Sequence, residues 1–176
     1  RNFKNYLQIK NLTLELKVST INRSPLIFID QEGGKVQRLR GKNFTDFPPQ
    51  KIFGDLCEVN ENKALTLSYL TSYLIGNELK EIGIDVNFSP VCDLVFDNAH
   101  KIIGNRSFGK NPETANKLVS QYCKGLMDSG VFPVLKHYPG HGRSKKDTHN
   151  DVSCISTDLK TLEETALSPC VWMHEE

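Results

Sequence analysis

Residues 60–94 read NENKALTLSYLTSYLIGNELKEIGIDVNFSPVCDL, and the change of period inside them decides the fold class. Leu67, Leu70, Leu74 and Ile82 recur at helical spacing. This predicts a helix over about 60–82 with those residues as its apolar stripe, and Gly83 as the residue just past its end. Ile84 to Val91 (IDVNFSPV) then reads as a strand, with Asp93 just beyond it.

The same alternation continues on both sides. Upstream, Pro25 to Asp30 (PLIFID) is a buried-strand pattern that ends in an acid and runs into Gln31-Glu32-Gly33-Gly34. The two glycines there permit a tight turn or the close approach of a ligand. Downstream, Asn111-Pro112 is an N-cap followed by proline at the first helical position. That start predicts a helix through Ala115, Leu118, Val119, Tyr122 and Leu126, stopping near Gly130. Val131 to His137 (VFPVLKH) is a third strand, and a short last helix is expected over roughly 158–167. The first twenty residues carry both periods. Leu12, Leu14, Leu16 and Val18 alternate, whereas Tyr6, Ile9, Thr13 and Leu16 share a helical face. Residues 5–18 contain no turn former, so a helix is expected there.

Strands alternating with helices predict a parallel α/β protein, in which ligands gather at the carboxyl ends of the strands. Those ends carry Asp30-Gln31-Glu32, then Asp93, then Lys136-His137. The chain has 176 residues with 22 Lys+Arg against 21 Asp+Glu, a net charge of +1 that offers no basic surface for nucleic acid or membrane. No apolar run approaches the ~20 residues of a spanning helix. The start, Arg1-Asn2-Phe3-Lys4, shows no basic-then-apolar leader. Five widely spaced cysteines, none in a C-x-x-C pair, fit reduced thiols and a cytoplasmic location.

The densest chemistry lies in Lys136-His137-Tyr138-Pro139-Gly140-His141-Gly142-Arg143-Ser144-Lys145-Lys146-Asp147-Thr148-His149, a loop leaving a strand end with three of the five histidines. A carboxylate two residues from an imidazole, as in Asp147 and His149, can accept its ring N–H and leave the other nitrogen free to exchange a proton. A solvated loop with incidental charges is the competing reading. His137, His141 and His149 could instead bind a metal, although the spacing lacks the H-E-x-x-H form. A phosphate cradle at Gln31–Gly34 is disfavoured by Glu32. Asp30, Arg38, Arg106 and Lys136 each lie near a strand-end cluster. Together they offer the mixture of donors and acceptors that a polyhydroxylated ligand needs.

Four segments carry a family resemblance: IDQEGGKVQRL (29–39), NFSPVCDL (87–94), IGNRSFG (103–109) and KHYPGHGRSKKDTH (136–149). They resemble family 3 glycoside hydrolases, and within these the bacterial β-N-acetylhexosaminidases of peptidoglycan recycling. The resemblance implies a TIM-type (β/α)8 barrel that removes terminal β-linked N-acetylglucosamine with retention, through an aspartate nucleophile and a covalent intermediate. It implies that His149 is the acid/base and Asp147 its orienting partner, a departure from the usual carboxylate pair. It also implies that Asp30, Arg38, Arg106, Lys136 and His137 bind the sugar, with no metal or cofactor.

A whole barrel of this type takes about 250 residues. The expectation is therefore a single partial barrel domain over residues 1–176, holding about the third to the fifth or sixth of eight strands. No residue of the chain matches the family's nucleophile aspartate. Cys170-Val171-Trp172-Met173-His174-Glu175-Glu176 is off the pattern of a further strand. These departures predict a chain that does not hydrolyse glycosides alone; a non-catalytic sugar-binding remnant is the alternative, with a metal-dependent hydrolase behind it.

Overall fold

The computed structural model describes residues 3–19, 23–97, 99, 101–145, 152 and 154–167. The order of elements is helix α1 (Tyr6–Val18), strands β1 (Phe28–Ile29), β2 (Gln31–Gly33) and β3 (Val36–Gln37), helices α2 (Lys51–Cys57) and α3 (Glu61–Glu81), strand β4 (Val86–Asn87), a 3-10 turn (Gly104–Arg106), helix α4 (Pro112–Asp128), strand β5 (Phe132–Pro133) and helix α5 (Leu159–Glu164). Strands β1, β4 and β5 form a parallel sheet in that order. An isolated parallel bridge between Val91 and Lys136 extends the β4–β5 pairing toward the carboxyl end.

The helices start and stop where local chemistry dictates. The side chains of Asn5, Asn60, Asn111 and Asp158 each accept a backbone N–H from the first turn of the helix that follows, satisfying donors a helix leaves unpaired. Gly83 and Gly130 take positive φ just past α3 and α4, as helix-terminating residues do. The N-terminal segment is a helix, as its lack of turn formers predicts. It is fastened to the sheet by Asp85, which accepts from Lys17 Nζ at 2.7 Å and from the backbone N–H of Ile27 at 3.0 Å.

The helix over 60–82 forms, but of its expected stripe only Ile82 is buried. Leu67, Leu70 and Leu74 are exposed, whereas Ala64, Ser68, Ser72, Ile75, Gly76 and Leu79 are buried. Small residues allow α3 and α4 to approach so closely that side chains would collide. A Cβ on Gly76 would stand 1.8 Å from Ser129 Oγ, and one on Gly125 would stand 2.3 Å from the Tyr69 carbonyl oxygen. The α4 face behaves as its period predicts, with Ala115, Leu118, Val119, Tyr122 and Leu126 all buried.

The core fills the space between the sheet and the helices, where Ile27, Ile29 and Leu135 pack against Ile75, Leu79, Leu118 and Leu126. The opposite face of the sheet is open. Phe28 and Phe132, in register on either side of Val86, are 48% and 65% exposed. The Gly33-Gly34 turn joins β2 to β3 and takes positive φ at both residues. Its close approach is to the chain itself: the Gly34 N–H donates to the Phe47 carbonyl, and a Cβ on Gly33 would stand 2.5 Å from the Pro48 carbonyl oxygen. The glycines are therefore explained by packing, not by a phosphate.

Candidate active site

The carboxyl ends of the three parallel strands meet at one polar cluster. Asp30 follows β1, Glu32 lies in β2, Arg38 follows β3, Arg106 sits on the 3-10 turn, and Lys136 and His137 follow β5. The hairpin is held at this level by Gln31. Its side-chain oxygen accepts from the N–H groups of Arg38 and Leu39, and its backbone exchanges hydrogen bonds with the Asn87 amide across to β4.

The sequence-predicted sugar-binding residues are brought together. Lys136 Nζ lies 2.7 Å from Asp30 Oδ1 and 2.6 Å from Glu32 Oε1. Arg38 Nη2 reaches Asp30 Oδ2 at 3.4 Å. Arg106 meets Glu32 in a two-pronged pair, Nε and Nη2 each 2.9 Å from a carboxylate oxygen. Arg106 Nη2 also stands 3.4 Å from His137 Nε2, and His137 Nδ1 is 2.6 Å from Asp93 Oδ2. The dyad Asp147–His149 lies outside the described residues.

Two acids of this cluster, Glu32 and Asp93, stood out in sequence only as members of polar strand ends. Their side chains are 2% and 0% exposed, so they work from behind the open groups. Burial costs a carboxylate heavily unless it is paired. Here Glu32 faces two cations, and Asp93 accepts the backbone N–H groups of His137 and His141 and lies 2.6 Å from His137 Nδ1. The signal that could have found them is the acid at a strand end within a run of buried residues.

Asp30, Arg38 and His137 are only partly covered and leave polar atoms open. A groove of about 470 Å³ lies beside Asp30 and Arg38. Burial pushes the Asp30 carboxyl up, but Lys136 and then Arg38 outweigh it, and the group lies below the ordinary carboxylate value. Burial likewise pulls Arg106 down and Glu32 more than restores it. The cluster sets three carboxylates against three cations. It therefore has little net field, and suits a neutral polyol with both donors and acceptors better than a phosphate.

For a metal, His137 and His141 stand 6.0 Å apart between ring centroids, and His149 is outside the described residues. Among the described residues, no group of three or more His, Cys, Asp or Glu is arranged to hold an ion. No described helix is long and apolar enough to cross a membrane.

Comparison with known proteins identifies the family and the fold. The pattern of the Glycosyl hydrolase family 3 N terminal domain matches residues 1–171, and the chain belongs to that family. It is 36% identical over 171 residues to a protein of Nitrosomonas eutropha named Beta-hexosaminidase, covering 96% of this chain and 48% of that one. It superposes on native NagZ from Neisseria gonorrhoeae with a TM-score of 0.93 at 36% identity, covering 100% of this chain and 51% of that one. The same NagZ has been solved in complex with N-trifluoroacetyl-D-glucosamine and in complex with zinc ion. This chain thus spans about half the length of the relatives it matches, and its mixed α/β fold is that of the family's TIM-barrel-like N-terminal domain.

Proposed function

We propose that this chain carries the sugar-holding and proton-transferring part of a β-N-acetylhexosaminidase, which releases terminal β-linked N-acetylglucosamine in the cytoplasm during peptidoglycan recycling. The observation that carries this reading is the convergence of Asp30, Arg38, Arg106, Lys136 and His137 at the carboxyl ends of three parallel strands. The family membership and the ligand of the gonococcal NagZ complex support it.

In this reading the ionised Asp30 accepts from sugar hydroxyls while Arg38 and Lys136 donate to them. Glu32 and Asp93 keep Arg106, Lys136 and His137 in place, so little reorganisation is needed when the sugar arrives. His149, oriented by Asp147, protonates the leaving oxygen and then activates water, and the anomeric configuration is retained over two displacements. The nucleophilic carboxylate is not among these 176 residues; we place it in the half of the relatives' length that this chain does not span. The four described cysteines form no disulfide with one another, which fits the thiols of a reducing compartment.

An assay with aryl N-acetyl-β-glucosaminides tests the division of labour. The 176-residue chain alone is expected to release no aglycone. Steady release that Asp30→Ala abolishes would overturn the placement of the nucleophile. In an enzyme with the completed barrel, His149→Ala is expected to lower turnover most for strongly basic leaving groups. Uniform loss across leaving groups would argue against proton transfer by His149.

A further inference from the structure

Asp93 is fully shielded from solvent, yet it is bound on every side by donors from one loop. Its Oδ2 accepts from the backbone N–H of His137 at 3.2 Å and lies 2.6 Å from the ring Nδ1. Its Oδ1 accepts from the backbone N–H of His141 at 2.5 Å. An ionised carboxylate only accepts, so the proton of the His137 ring sits on Nδ1. On the other side of the ring stands Arg106 Nη2, 3.4 Å from Nε2. A guanidinium only donates, so Nε2 presents its lone pair. Two partners of fixed polarity leave the imidazole one tautomer and one orientation.

We infer that Asp93 is a positioning residue: it fixes His137 as the Nδ1–H tautomer, and it pins the first turn of the loop that leads to Asp147 and His149. Nε2 then offers only its lone pair: Arg106 Nη2 faces it at 3.4 Å here, and a ligand group that takes the place of that long contact must be a donor such as a sugar hydroxyl. The tautomer follows from the contacts of the ring with an ionised Asp93 and with Arg106; its service to a sugar rests on the glycosidase reading above. Asp93 also joins the two halves of the site in one group, because the ring that faces the sugar and the backbone that begins the acid/base loop share its two oxygens.

Replacing Asp93 by asparagine leaves one accepting oxygen and turns an NH2 group toward donors. The test is NMR of the 176-residue chain with ring-15N histidine, using His137→Gln to assign the signal. In the unsubstituted chain the His137 ring is expected as a single Nδ1–H tautomer. In Asp93→Asn it is expected as a mixture, with N-acetylglucosamine bound about tenfold more weakly, the equivalent of one charge-assisted hydrogen bond. A His137 ring in the Nε2–H form, or averaging between tautomers, in the unsubstituted chain overturns the inference, and this needs no variant to fold. So does an Asp93→Asn chain with unchanged tautomer and affinity. A ring held as Nδ1–H in a chain that binds no N-acetylglucosamine leaves the role of Asp93 standing and overturns the glycosidase reading instead.

Discussion

At Glu32 a nearly inaccessible carboxylate is shared by Arg106 and Lys136, themselves 10% and 13% exposed. Breaking a buried ion pair from one side strands the charges that remain, at a cost of about 3–5 kcal/mol. Glu32→Gln is therefore expected to lower stability by that order in a denaturant titration, and to weaken sugar binding through Arg106 and Lys136. A change under about 1 kcal/mol would show that water reaches this pair. Asp30 carries a pH dependence of determinate sign. Its folded value lies below the ordinary carboxylate value of about 3.9, so its ionisation favours the folded state above that pH, and the contribution fades as pH falls through the folded value. Stability measured over pH ~2–5 should fall less steeply in Asp30→Asn; superimposable curves would show that Lys136 and Arg38 do not hold this carboxylate. The residues themselves were legible because chemistry collects at strand ends. The duties of Glu32 and Asp93 were not, because they depend on partners at least 44 residues away in the chain.

Elements were legible wherever a local signal was long. The helix caps at Asn111 and Gly83 and the buried face of α4 follow from the sequence directly. The seven residues of α2 and the two- and three-residue strands of the hairpin are too short for a period to show. The leucine stripe of α3 misled for a physical reason: the closest approach of α3 and α4 is made at glycine and serine, whose burial a hydrophobic pattern does not report. Two substitutions separate these faces. Gly125→Ala pushes a methyl group toward the Tyr69 carbonyl and is expected to cost about 1–3 kcal/mol. Leu70→Gln, on the exposed stripe, is expected to stay within about 0.5 kcal/mol. Equal effects in thermal melts would mean the packing of these two helices is misassigned.

At the scale of the molecule, a family barrel closes its sheet and thereby removes its edges. The parallel sheet among the described residues has three strands, with β1 and β5 at its edges and Phe28 and Phe132 partly exposed on the face away from the helices. Apolar side chains left open this way forfeit the burial that stabilises a core. The 176-residue chain by itself is expected to be folded at about 25 °C but to melt well below an enzyme with the completed barrel, and to bind a hydrophobic dye. A sharp two-state transition above about 65 °C, beyond the usual mesophile range, would contradict this. The parallel α/β class was legible from the alternating periods, whereas the barrel came from the resemblance that the four motifs carry.

The most direct test is calorimetric titration of N-acetylglucosamine into this chain and into Asp30→Ala. The account predicts saturable one-to-one binding that the substitution abolishes. Absence of binding, or binding that Asp30→Ala leaves unchanged, would contradict the claim that the strand-end cluster is a sugar site.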